Sequence, residues 1–183
     1  MYKARIKSVS TPTAQNNKLC VDRSMVEASS FQDSRMKALN QNEPLHIRVI
    51  ISMLQLYGLR ISEVLSLKAS NITFVGKVII KGAKGSADRL VVIPEYSKFF
   101  IDIRNSGYNP FVNVNRFIVY RILKKYSLVS QSTYGSKNAV CHQFRYQFAK
   151  SINDVTGSVD ETAHFIGHKK SSSTSHYLKQ NGK

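Results

Sequence analysis

Hydrophobic and polar positions change rhythm several times along the 183 residues. Residues 1–23 are polar, rich in Ser, Thr, Asn and Gln, and show no periodicity, so a flexible N-terminal arm is expected ahead of one domain over 24–183. A weak helical pattern covers 24–39. The first strong signal follows Asn42-Glu43-Pro44, where Ile47, Ile50, Ile51, Leu54 and Leu56 recur at helical spacing. Proline suits a first helical turn, whose N–H groups have no partner inside the helix, and Gly58 closes the pattern. A second helix starts near Ile61-Ser62-Glu63 and buries Val64, Leu65 and Leu67. The rhythm then turns to short β-type runs at 72–75, 78–80 and 90–93, separated by Gly76 and by a basic, glycine-bearing stretch over 82–88. These predict a small three-stranded antiparallel sheet. Pro94 ends it, and helices return at 95–104 and 115–126. After a polar loop at 130–138 comes a helix at 142–153. The capping-box spacing from Ser158 to Glu161 starts another, which stops at Gly167, and a short helix follows at 174–178. The expected fold class is α+β, mainly α.

Composition narrows the classes of function. The length suits one domain, and 42% hydrophobic residues are enough for a core. Apolar runs such as Val49-Ile50-Ile51 are far shorter than the ~20 residues a membrane span needs. Cys20 and Cys141 lie far apart and suggest no disulfide framework. The charge changes the picture most. With 27 Lys+Arg against 11 Asp+Glu the net charge is +16, a field that attracts phosphate backbones. The basic residues are scattered in pairs such as Lys124-Lys125 and Lys169-Lys170 instead of forming one polybasic block, which favours nucleic acid over a membrane surface.

Several separate segments carry residues suited to phosphate chemistry. In Tyr57-Gly58-Leu59-Arg60-Ile61-Ser62-Glu63 an arginine lies just past a helix end, and a glutamate three residues on can hold its guanidinium in one orientation. His142 and Arg145 share one helix face at i, i+3, and His168 follows the helix-ending Gly167. Tyr177 comes nine residues later, and Lys81-Gly82-Ala83-Lys84-Gly85 offers mobile cationic donors. Singly these are ordinary: an arginine or a Glu63–Arg60 pair is a common solvated feature. His164 and His168 at i, i+4 have zinc-ligand spacing, but no HExxH or CxxC motif accompanies them, so no metal is expected.

In their order and spacing these segments resemble the catalytic domain of the tyrosine recombinases, the phage-integrase family. That family's pattern is an arginine in a G-L-R-x-S-E-L-type motif, a lysine in a β-hairpin turn, H-x-x-R on a helix, then G-H and a tyrosine nine residues on. This chain has Gly58-Leu59-Arg60-Ile61-Ser62-Glu63, Lys84-Gly85-Ser86-Ala87-Asp88-Arg89, His142-Gln143-Phe144-Arg145, Gly167-His168 and Tyr177, over about residues 40–178. All the active-site positions carry the family's commonest residue.

The resemblance implies a helical catalytic domain and a role for each of these residues. Tyr177 would be the nucleophile that attacks a DNA phosphodiester, leaving a 3′-phosphotyrosyl link and a free 5′ hydroxyl. Arg60 and Arg145 would grip the non-bridging oxygens, and His168 would add a hydrogen bond. His142 would move the phenolic proton, and Lys84, with Lys81 as the rival, would protonate the leaving oxygen. Glu63 would orient Arg60. Neither metal nor other cofactor would be needed, and no ATP. The implied partners are double-stranded DNA, further copies of the chain in a tetramer on that DNA, and accessory DNA-bending proteins. The implied setting is the nucleoid of a bacterial or archaeal cytoplasm, or a viral mobile element.

Relatives commonly carry an N-terminal DNA-binding domain, for which the roughly 40 residues ahead of the match leave no room. Many also continue beyond the tyrosine into a helix that docks on a neighbouring subunit. Two alternatives remain open from the sequence. One is a type IB topoisomerase, which shares the same residue logic; the other is a catalytically silent DNA-binding regulator of the same fold.

Overall fold

The computed structural model describes residues 20–21, 34–82, 86–128 and 139–180. Helices α1 (Ser34–Asn42), α2 (Leu45–Leu56) and α3 (Ile61–Leu65) come first after strand β1 (Cys20–Val21). Strands β2 (Val78–Ile80) and β3 (Arg89–Val91) precede α4 (Ser97–Ser106) and α5 (Arg116–Lys125). Helices α6 (Ala139–Thr156), α7 (Val159–Ile166) and α8 (Ser171–Gln180) complete the described chain. The fold is mainly helical with one small sheet, as the sequence pattern predicts.

Helix α2 is the centre of the core. The pattern predicts one buried face, but Val49, Met53, Ser52 and Gln55 are buried beside Ile47, Ile50, Ile51 and Leu54. A helix buried on nearly every side lies inside the domain instead of on its surface. It packs against α1, α3 and α6, while α6 packs on α7 and α7 on α8. Local signals fix several boundaries. The Asn115 side chain accepts hydrogen bonds from the N–H groups of Phe117 and Ile118 at 2.9 and 3.1 Å and starts α5. Ser158 Oγ accepts from the Glu161 N–H at 3.2 Å and starts α7.

The sheet differs from the expected antiparallel triplet. β2 and β3 are antiparallel, with Val78 opposite Val91 and Ile80 opposite Arg89. The other neighbour of β3 is β1, which runs parallel to it with Cys20 opposite Leu90. The run at 72–75 is reduced to a single bridge from Ile72 to Val78. The chain reverses at once: the Gly76 N–H donates to Thr73 O at 3.0 Å, and the Thr73 N–H donates to Lys77 O at 2.8 Å. Of the expected arm, only Cys20–Val21 are among the described residues, and they pair with β3. Of the early helix expected over 24–39, the described part belongs to α1, while residues 24–33 and the loop at 130–138 lie outside the described residues. Among the described residues no helix is long and apolar enough to cross a membrane.

Candidate active site

The site is built where the start of α3, the β2–β3 turn, α6 and the α7–α8 corner meet. Gly58 leads into α3 with a left-handed backbone, φ 58°, and a Cβ there would run into the Phe148 ring of α6. Only glycine lets the α2–α3 turn lie this close to α6. The next turn places Arg60 at the N-terminus of α3 and Glu63 one turn inside it.

Glu63 is 3% exposed and holds two arginines. Its Oε2 accepts from the Arg60 N–H at 2.8 Å and from Arg89 Nη2 at 2.7 Å. Its Oε1 accepts from Arg60 Nη1 at 2.9 Å and from Arg89 Nη1 at 3.3 Å. Burial alone would raise the Glu63 pKa. The hydrogen bond and charge of Arg89, then the Arg60 N–H and the charge of Arg145, outweigh burial and hold the carboxyl below its ordinary 4.5. Arg60 Nη1 also donates to Ser86 Oγ in the β2–β3 turn. That turn is tied to the end of α7 by a bridge between Ser86 and His168, and by the Ala87 N–H donating to Gly167 O at 3.0 Å.

Arg145 projects from α6 and is 2% exposed. Its Nη1 donates to Gly58 O at 2.7 Å and its Nη2 donates to Ile166 O, so two main-chain carbonyls hold the fork. Burial first, then the charges of Arg60 and Arg89, press its pKa down to about 9, still above neutrality, so it remains a cation. Gly167, with φ 76°, turns the chain from α7 to His168, and a Cβ there would sit 2.7 Å from Arg89 Nη1.

His168 Nδ1 pairs with Thr174 Oγ1 of α8 at 2.9 Å. Burial, then the charges of Arg145, Arg60 and Arg89, lower its pKa to about 4, so the ring is neutral at pH 7. The Tyr177 ring lies edge-on to His168 and to Tyr146, with centroids 5.9 and 6.0 Å apart. The Tyr177 hydroxyl donates to the main-chain oxygen of His142 at 3.2 Å. Burial pushes its pKa up to about 12, while the charges of Arg145 and Arg60 pull it the other way. His142 on α6 is lowered by partial desolvation of its ring and then by Arg145 and Arg60.

Arg60, Glu63, Arg145, His168 and Tyr177 thus converge, with the main chain of His142 against the phenol. Lys84 lies outside the described residues. Lys81 is exposed and donates to Asp88 Oδ2 at 2.8 Å, while Asp88 Oδ1 accepts from the Gly82 N–H. His164 is exposed on α7, and among the described residues no group of three or more His, Cys, Asp or Glu could hold a metal ion. Sequence reasoning missed the roles of Arg89, Ser86 and Thr174. Arg89 did leave a signal: it alternates with Val91 along β3, on the inward face.

A tyrosine set beside buried arginines on a mainly helical frame is an arrangement able to bind an oxyanion, with a phenol as its candidate nucleophile. Residues 32–183 match the model of the phage integrase family, and the chain belongs to that family. It is 29% identical over 154 residues to a tyrosine recombinase of Thermosipho africanus, covering 79% of this chain and 53% of that protein. To the tyrosine recombinase XerA of Pyrococcus horikoshii it is 28% identical over 161 residues, covering 82% and 56%. The chain spans about half the length of these curated relatives. Among solved structures, a XerA recombinase superimposes with a TM-score of 0.57 at 19% identity, over 92% of this chain and 62% of that one. The XerH site-specific recombinase bound to its difH substrate gives 0.56 at 18% identity, over 82% and 50%. Both show a shared fold.

Proposed function

We propose that this chain cleaves and rejoins DNA strands at specific sites through a 3′-phosphotyrosyl intermediate, with residues 24–183 as its catalytic unit. The observation that carries the reading is the position of the Tyr177 phenol, packed on His168 within the field of Arg145 and Arg60. Family membership and the resemblance to a recombinase bound to its substrate support DNA as the partner.

In this mechanism Arg60 and Arg145 bind the non-bridging oxygens of the scissile phosphate. Both are held before substrate arrives, Arg60 by Glu63 and Arg145 by two carbonyls, so little reorganisation opposes the reaction. His168 adds a neutral N–H donor. Tyr177 keeps its proton at neutral pH, so attack requires a base, and His142, neutral because its pKa is lowered, accepts the proton. Lys84 gives a proton to the departing 5′ oxygen. The phosphotyrosyl bond conserves the energy of the broken ester, and a second 5′ hydroxyl reseals the strand. Exchange joins two duplexes and so needs several active sites, which a tetramer on DNA supplies, with accessory DNA-bending proteins bringing the sites together.

The test is incubation with supercoiled plasmid and with a library of nicked duplexes of randomised sequence, followed by detergent. A denaturation-resistant protein–DNA adduct is expected. It disappears in Tyr177→Phe and falls at least a hundredfold in Arg145→Ala, the scale of losing one preorganised oxyanion donor. DNA binding without any adduct would instead identify a silent regulator, and relaxation of plasmid without strand exchange a topoisomerase.

A further inference from the structure

We propose that Thr174 is a positioning residue: its hydroxyl donates to His168 Nδ1 and so fixes the proton of the neutral imidazole on Nε2. The proposal rests on the function above, in which His168 is a hydrogen-bond donor to phosphate. Two arrangements satisfy the 2.9 Å contact between Nδ1 and Oγ1. In one, threonine donates to the Nδ1 lone pair; in the other, Nδ1–H donates to the threonine oxygen. They differ in the fate of the hydroxyl proton. Thr174 is 0% exposed, and among the described residues the His168 ring is the partner of its hydroxyl. If Nδ1 carried the proton, the threonine hydroxyl hydrogen would be buried without an acceptor, which disfavours that arrangement by about tenfold or more. The neutral ring has one proton to place, so it goes to Nε2.

The consequence reaches Tyr177. Thr174 and Tyr177 are one helical turn apart on α8, and both face His168, one through Oγ1 and the other through its ring. The bond that places the imidazole proton also pins the nucleophile's helix to the α7–α8 corner. The main-chain N–H of His168 completes the anchor, donating to Ala163 O at 2.7 Å. Doubly protonated His168 would lose the threonine as donor, in line with the ring's resistance to protonation.

The experiment is a long-range proton–nitrogen NMR spectrum of the free protein at pH 7, with the His168 ring assigned by its loss in His168→Gln. Wild type is expected to show the Nε2–H tautomer, and a dominant Nδ1–H tautomer overturns the proposal. Thr174→Val, which keeps the shape without the hydroxyl, is expected to mix the tautomers and slow adduct formation about tenfold. Thr174→Ser is expected to restore both. An unchanged tautomer in folded Thr174→Val overturns the proposal as well. Should valine prevent folding, the wild-type and serine spectra decide by themselves. The spectra need no DNA, so a protein that forms no adduct refutes the recombinase reading while the tautomer still judges the role of Thr174.

Discussion

Glu63 is the residue on which the arginine geometry hangs. Removing it leaves Arg60 and the buried Arg89 without their shared counter-charge. Breaking a buried pair in this way typically costs about 3–5 kcal/mol, so Glu63→Ala is expected to lose that much stability in urea unfolding. The pH dependence separates two groups. Glu63 has a folded pKa below its ordinary 4.5, so its contribution is complete above that value and disappears as pH falls through the folded one. His168 is lowered from 6.5 to about 4, so the unfolded chain binds the extra proton first. Its contribution is whole above pH 6.5 and is lost progressively down to about pH 4. Urea midpoints measured from pH 7 downward are expected to fall in both windows. His168→Gln should make the upper fall shallower, leaving the shares of His142 and His164, and Glu63→Gln should do the same to the lower one, leaving that of Glu43.

At the scale of elements, the corner between α7 and α8 is tightly constrained. Gly167→Ala would force a side chain into a left-handed backbone, a strain of about 1–3 kcal/mol. It would also press on an Arg89 guanidinium that Glu63 holds in place. Lower thermal stability and weakened adduct formation are expected together, since Gly167 leads straight into His168. Leu54→Ala in α2 is the contrasting case. It opens a cavity in the core, with an expected loss of about 2–5 kcal/mol by denaturant titration, and removes no residue of the site.

The same elements show what a sequence reader can and cannot see. Helices α2, α5 and α7 are legible because their signals are local: a proline at the first turn, an asparagine cap, a Ser158–Glu161 pair. The strand expected at 72–75 fails because Gly76, at φ 74°, closes a tight turn inside an otherwise β-favouring run. The pairing of β1 with β3 joins segments far apart in the chain, and no local period encodes it. In the site, the order and spacing of Arg60, His142, Arg145, His168 and Tyr177 were readable. Thr174 was not, and Arg89 only through its alternation with Val91, because their importance comes from burial against partners distant in sequence or around a turn, and an arginine in a basic stretch looks solvated.

The molecule as a whole carries a net charge of +16, so on the proposed function electrostatics should dominate an encounter with DNA. Anisotropy titrations with a duplex are expected to give a slope of log K against log salt of about −5 or steeper, corresponding to roughly six phosphates neutralised. A slope near zero would remove the phosphate backbone as the main contact. Arg145→Ala should reduce the steepness by about one, the share of a single phosphate contact.

The shared carboxylate has one more consequence, which concerns what fills the cradle at rest. Arg89 and Glu63 cancel each other, so among the described residues Arg60 and Arg145 present two positive charges and His168 at pH 7 adds none, to which Lys84 would add its own in the mechanism proposed above. An intact diester brings a single negative charge, whereas the pentavalent species on the reaction path carries two. On the proposed mechanism the cradle would therefore be under-filled by an intact diester and better filled by the transition state, the difference on which acceleration depends. A terminal phosphate monoester, already a dianion, meets that match without any chemistry. If the proposed function holds, DNA ends bearing a 3′-phosphate are expected to occupy the site as inhibitors, holding the protein on broken strands it cannot rejoin.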